Sequence, residues 1–388
     1  WPSRRSTYTG RYWQHDGPMT ATKRIAVNLL FLVPGDVGGS EEYAVRTLRA
    51  FARHGSRDIQ PVLFLQGSLR QAHPDLCDEF EVVASPGDGR NRIRRIASES
   101  TWLAPRTAGF DAVHHVGGRI PMRSSRPVVV TVHDLQPFDH PEHFSVVKEG
   151  FLSWSVPRSL RRADVVVTVS DAVGEQVVRH FGVDPGRVVT VSSGVDRVAD
   201  RLVEPSSPPV VIYPAVSHPH KNHGLLIEAF SRIADLHPEA RLVLTGGPGR
   251  SEGAVVLAIE GSGLGDRIER TGRIPDADYV RRLACSSLLA FPSLYEGFGI
   301  PVLEAMAAGV PVVVASGTPA DDVAGGAGWS VDGDDVSGWA EALDWALGDA
   351  EARRVAAEAG LRRAAEFSWE ASAEQLERAW RLALDTPG

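Results

Sequence analysis

Residues 288–315 read LLAFPSLYEGFGIPVLEAMAAGVPVVVA. Leu288–Phe291 is a short unbroken apolar run ended by Pro292, the pattern of a strand buried on both faces, and Val310–Ala315 is another. Between them Pro301 stands at a first-turn position and predicts a helix over Pro301–Ala308. Strand, glycine-bearing loop, helix and strand form the repeating unit of a parallel α/β sheet. Gly297 and Gly299 allow close backbone approach, and the free N–H groups of a helix start suit an anion.

The same alternation runs through the rest of the chain. Before the segment, strands are expected at Val210–Pro214, Arg241–Gly246 and Arg267–Thr271, with helices at Asn222–His237 and Asp276–Cys285. An earlier set has strands at Arg24–Val33, Gln60–Leu65, Phe80–Ala84, Ala112–His115, Val128–His133, Asp164–Ser170 and Arg187–Val191, with helices clearest at Ser40–His54 and Asp171–Phe181. Asp196–Pro209, with three prolines and no periodicity, separates the two sets. The expected division is a tail over 1–22, a first α/β domain over 23–198, a linker over 199–209 and a second α/β domain over 210–368. A last helix over 369–388 either stays on the second domain or crosses back to the first. From Val336 onward only helices are expected, with Trp339, Trp345, Trp369 and Trp380 read as core packing.

Composition narrows the function. The 388 residues carry a net charge of −8, with 25 basic against 22 acidic side chains over 1–200 and 16 against 27 over 201–388. That balance lacks the basic surplus of a nucleic-acid binder. Arg90, Arg92, Arg94 and Arg95 read as a solvated helix face. Cys77 and Cys285 suggest no disulfide framework or cysteine-held zinc, and a reducing cytoplasm is expected. No apolar run approaches the roughly 20 residues of a spanning helix, so any membrane contact is expected to be peripheral. Residues before Met19 read as an upstream or vector-derived tail.

In parallel sheets ligands gather at the carboxyl ends of strands, and the residues rich in chemistry lie there. Glu296 and Glu304 are eight positions apart, one in the loop and one a turn into the helix; an ionised carboxylate at either place can accept hydrogen bonds from hydroxyls. Two carboxylates near a helix start are also stable there without a ligand. Lys221 follows the strand Val210–Pro214; a lone lysine is usually solvated, but a strand end places its compact ammonium where ligands gather. His133 ends the run Thr131-Val-His-Asp-Leu135, and Gly38-Gly39 precedes Ser40, a candidate helix cap. His218, His220 and His223 have a metal-like spacing, but no carboxylate or cysteine completes the set, and no metal is expected. Asp276-Ala-Asp278 and Asp332-Gly-Asp334 read as a helix cap and a turn rather than metal-binding pairs.

The core E-G-F-G-x-P-x-L-E-A-M-A-x-G-x-P-V resembles the E-x7-E motif of family-4 retaining glycosyltransferases of GT-B fold, in which two Rossmann-like domains face across a deep cleft. The resemblance implies catalytic roles for His133, Lys221 and Glu296. It places donor contacts at Gly297, Phe298, Gly299 and Ile300, at Glu304 on the ribose, and at Gly38 and Gly39 beneath the phosphates. His220 and, beside the base, Ile274 complete the implied donor set. Relatives often carry an arginine where this chain has Ala215, and Ser193 replaces a more usual asparagine. Implied by the resemblance is metal-independent retaining transfer of a hexose, mannose favoured, from a nucleotide-diphosphate sugar to a hydroxyl of a glycan, glycolipid or small-molecule glycoside. GDP-mannose leads, UDP- or dTDP-sugars follow, and no cofactor is implied. The alternatives are a silent nucleotide-sugar-binding partner of another transferase and a nucleotide-sugar epimerase.

Overall fold

A computed structural model describes residues 22–35, 38–87, 89–125, 127–196 and 207–386. The first sheet contains β1 (Lys23–Asn28), β2 (Ile59–Gln66), β3 (Glu81–Ser85), β4 (Ala112–His115), β5 (Val128–Val132), β6 (Val165–Thr168) and β7 (Val188–Thr190). The second contains β8 (Val210–Pro214), β9 (Arg241–Thr245), β10 (Ile268–Gly272), β11 (Leu288–Phe291), β12 (Val312–Ala315) and β13 (Trp329–Val331). Every pairing is parallel, and the orders are β3-β2-β1-β4-β5-β6-β7 and β10-β9-β8-β11-β12-β13. The central strands β5, β6, β11 and β12 are buried at every position, as parallel strands covered by helices on both faces must be.

Both sheets reverse strand order beside their first strand, between β1 and β4 and between β8 and β11. A crevice opens there because the connections on either side lead to opposite faces. Its walls include the loops after β1, β8, β9 and β10 and the helix start after β11, and loops of the two domains touch across it. The Ser170 hydroxyl donates to the Gly297 carbonyl at 2.7 Å, and the Leu135 N–H donates to the Tyr295 hydroxyl at 3.2 Å.

The helix Trp369–Leu384 lies on the first domain, against the helix Gly39–His54 and strands β4–β7. Trp380 is fully buried and meets Phe51 edge-on at 4.7 Å. Its indole N–H donates to His114 Nδ1 at 3.1 Å, and the other His114 ring nitrogen lies 2.7 Å from the Thr131 hydroxyl. Burial pushes the His114 pKa down to about 3, so the ring is neutral and both nitrogens are used.

Several local expectations are corrected. β1 stops at Asn28, short of Val33, because the Asn28 side chain accepts from the Leu30 N–H at 3.1 Å and turns the chain. β13 was not foreseen, since three residues are too few to show a period. Trp345 is 57% exposed and rests on Trp329, in contrast to the buried Trp339 and Trp380. Gly38, at φ 54°, caps the first helix in place of Ser40, because the turn needs a backbone conformation that favours glycine. Pro275 takes the cap position expected of Asp276, which becomes the first helical residue. The helix Val146–Arg162 is absent from the expected helices, its pattern obscured by Pro157.

Candidate active site

At the carboxyl end of β8 the chain makes one 3-10 turn, Pro219–Lys221, and Asn222 follows in the left-handed conformation at φ 56°. Asparagine tolerates that region better than most side chains, and its amide donates to the Gly333 carbonyl at 2.8 Å. The turn is also held by Tyr213, whose hydroxyl donates to the Lys221 carbonyl at 2.6 Å, and by the Leu294 N–H, which donates to the His220 carbonyl at 2.8 Å. These bonds join the loops after β8 and β11. Lys221 Nζ and Glu296 Oε1 consequently meet at 2.5 Å, both side chains under one-fifth exposed. Each of these largely buried charges is balanced by the other.

Gly297 lies where a Cβ would stand 2.0 Å from the His133 carbonyl oxygen, so no other residue permits this approach of the two domains. Gly299, at φ 113°, opens the helix Ile300–Ala307 and leaves no room for a Cβ beside Ala320. Phe298 is buried and turns inward onto Phe367, at 5.8 Å between rings. Ile300 faces Gly39 across the crevice: a Cβ on Gly39 would lie 3.8 Å from Ile300 Cδ1.

A cavity of about 760 Å³ extends from this point, with Gly38, Ile274, Pro301 and Glu304 in its wall. Its size falls within the usual range for small-ligand sites, roughly 300–1,000 Å³. The Tyr279 hydroxyl donates to Glu304 Oε2 at 2.9 Å. Burial raises the Glu304 carboxyl to about 7 despite that bond. Arg273 reaches across the rim and donates to the Gly35 carbonyl at 3.0 Å.

His133 packs edge-on against Tyr43 at 5.5 Å, and its Nε2 donates to the Val116 carbonyl at 2.8 Å. Burial pushes its pKa down, so a neutral imidazole with Nδ1 as acceptor is expected. Asp134 beside it is open to the crevice yet enclosed by protein, and desolvation raises its carboxyl. The His220 ring lies 2.7 Å from the Gln136 amide, and burial, helped by the Lys221 charge, pushes its pKa down to about 3. His218 and His220 stack at 5.8 Å, whereas His223 turns back onto Tyr213; the three rings do not converge on one point.

The structure therefore gathers Lys221, Glu296, Gly297 and His133 at one end of the crevice and Gly38, Ile274 and Glu304 around its cavity. Sequence reasoning missed Tyr279, Tyr295 and Gln136. Tyr279, an aromatic in the polar run Asp276–Arg282, was the one with a visible signal.

Residues 37–198 match the family model described as Glycosyltransferase Family 4, and residues 196–363 match that for glycosyl transferases group 1. The chain is a family-4 glycosyltransferase. An O-antigen chain mannosyltransferase B of Escherichia coli is 30% identical to this transferase, over 68% of the present chain and 72% of that protein. A D-inositol 3-phosphate glycosyltransferase of Mycobacterium bovis is 32% identical over 90% and 80%. Among solved structures, Anabaena HepE in complex with UDP and glucose superposes with a TM-score of 0.70 at 19% identity, covering 92% of this transferase and 99% of HepE. WaaG, a glycosyltransferase involved in lipopolysaccharide biosynthesis, gives a TM-score of 0.69 at 17% identity, covering 91% and 98%. These likenesses establish the GT-B fold. Among the described residues no helix of the transferase is long and apolar enough to cross a membrane.

Proposed function

We propose that this glycosyltransferase transfers a hexose, mannose favoured, with retention of configuration and without a metal, from a nucleotide-diphosphate sugar to an acceptor hydroxyl. The observation that carries the reading is the Lys221–Glu296 pair at 2.5 Å, held at the β8/β11 reversal beside the tight approach of Gly297 to the His133 carbonyl. Lys221 and the backbone of Gly297–Gly299 offset the charge on the departing diphosphate. Glu296 accepts hydrogen bonds from the sugar, and Glu304 from the ribose diol at the far end of the donor. The backbone of Phe298 also meets the sugar, Ile300 adds a donor contact at the helix start, Gly38 and Gly39 pass beneath the phosphates, and Ile274 borders the base. His133 and His220 flank the reacting sugar. The bond from the anomeric carbon to the diphosphate oxygen breaks, and the acceptor oxygen bonds to that carbon from the same face. The acceptor proton passes to the diphosphate. Glu296 pairs with Lys221 and Glu304 with Tyr279, and in this reading they serve opposite ends of the donor, unlike the two carboxylates that flank the bond in a retaining hydrolase.

Mannose is favoured by the likeness to the E. coli mannosyltransferase, with UDP-sugars next because HepE was solved with UDP and glucose. The acceptor is a glycan, glycolipid or small-molecule glycoside met at first-domain loops, in a cytoplasmic setting where Cys77 and Cys285 remain free thiols. The test is nucleotide-diphosphate release from GDP-mannose, UDP-glucose and dTDP-glucose in EDTA, with the product's anomeric configuration read by NMR. An α-linked product from an α-linked donor is expected. An inverted product, or release only on adding divalent metal, overturns the mechanism; no release with any donor and acceptor supports the silent-partner reading.

A further inference from the structure

Between β5 and the helix Val146–Arg162 the chain forms the short helix Gln136–Asp139 and the 3-10 turn Pro141–His143, and the turn carries an imidazole cluster that the transfer step does not use. The turn stacks the rings of His140 and His143, with centroids 5.2 Å apart and planes inclined by 18°. Glu142 Oε1 stands 3.2 Å from His140 Nδ1 and 3.8 Å from His143 Nε2. Ligands about 2.0–2.1 Å from a tetrahedral zinc lie roughly 3.3 Å from one another, so these two separations already bracket the spacing of a metal shell. All three ligand atoms lie within 4.8 Å of one another, and among the described residues this is the one set of three or more such groups so gathered. Glu142 is exposed and the rings are partly so, which lets small side-chain rotations close the shell without moving the backbone.

We propose that His140, Glu142 and His143 form a binding site for one divalent transition metal of the zinc class, with an open coordination position. Two imidazole nitrogens and a carboxylate suit zinc, cobalt or nickel; magnesium and calcium prefer oxygen donors throughout. The surroundings supply outer-shell contacts of the kind that orient such ligands. The His140 ring meets Tyr295 edge-on at 5.3 Å, and the Tyr295 hydroxyl donates to Asp139 at 2.8 Å. The Gln136 amide lies 3.5 Å from His143 Nδ1 and 2.7 Å from His220 Nδ1. A metal on His143 Nε2 leaves a proton on Nδ1, which the Gln136 amide oxygen accepts when the amide is turned, an orientation equally compatible with its position.

The site lies at the mouth of the crevice, one ring beyond His220. Arg250 of the second domain donates to the His143 carbonyl, and the His143 ring stands 5.9 Å from that of His220. A bound metal would brace a first-domain turn that the second domain touches from three loops. It would act on the order of that turn, leaving the metal-independent transfer chemistry unchanged.

The full chain, stripped with chelator, is titrated with Co2+ and followed by its visible ligand-field absorption; Zn2+ is then added as competitor, and melting temperature is recorded with and without each metal. One Co2+ per chain, displaced by Zn2+, with binding weakened tenfold or more in Glu142→Gln and in His143→Ala, is the expected result. Melting in chelator should match wild type for both variants, which separates lost ligation from lost folding. Absence of a Co2+ spectrum, binding unchanged in the variants, or equal stabilisation by Mg2+ would overturn the proposal.

Discussion

Glu304 shows how burial can tie binding to pH. Its carboxyl titrates near 7, mainly because it is desolvated beside Tyr279. A carboxyl accepts from both hydroxyls of a diol through its two oxygens only when ionised, so nucleotide binding should weaken as pH falls below about 7, and Glu304→Gln should flatten that dependence in calorimetric titrations at pH 6 and 8. Stability moves the other way. The native state holds this proton more tightly than the unfolded chain between the ordinary value of 4.5 and about 7, so the Glu304 contribution declines as pH rises through that window. Glu304→Gln should therefore melt higher than wild type at pH 8. Lys221→Ala removes the cation expected to meet the leaving group and strands Glu296; kcat should drop by about 100- to 1,000-fold, while circular dichroism remains that of the folded protein. Of these groups the glutamates, Lys221 and His133 were visible from their positions at strand ends. Tyr279 stood out only as an aromatic in a polar run; its pairing with Glu304 was not visible, because it is 25 residues away and joined to it only by folding.

The last helix is where local pattern says least about placement. Trp369–Leu384 shows one apolar face, which requires a partner surface without naming it. The structure supplies the first domain: Trp380 between Phe51 and His114, Arg381 paired with Asp58, and the Ser372 hydroxyl donating to the Ser192 carbonyl at 2.6 Å. Trp380→Ala should cost about 3–5 kcal/mol, since it opens a cavity and leaves His114 Nδ1 without its donor. Trp380→Phe should cost less, as it keeps most of the ring volume. Urea melts of both variants give the comparison, and equal losses would show that the ring volume of Trp380 contributes nothing. Trp345 teaches the converse: an aromatic at helical spacing was read as core, yet it lies 57% exposed against Trp329 on the edge strand β13.

Across the whole molecule, the two domains meet through a few contacts placed around the crevice. Gly297 passes the His133 carbonyl, Ser170 and Tyr295 bond between domains, and Arg273 spans the rim to Gly35. Gly297→Ala would place a methyl group 2.0 Å from a carbonyl oxygen, a clash that opening the crevice relieves without unfolding either sheet. Activity should fall sharply, the melting temperature should change little, and small-angle scattering should report a larger radius of gyration than wild type. A variant with wild-type turnover would show that this approach is not required.

The amino-acid order by itself determined two parallel α/β sheets, since buried strands and amphipathic helices write their periods locally. It also determined the glycine-bearing turn before Glu304, since a close backbone approach excludes side chains and leaves that mark in the order of residues. Only tertiary structure decided that Lys221 meets Glu296, that Gly297 meets His133, and that the final helix crosses to the first domain. Those contacts join residues far apart along the chain, and their partners are selected by the packing of whole layers, which no short stretch encodes.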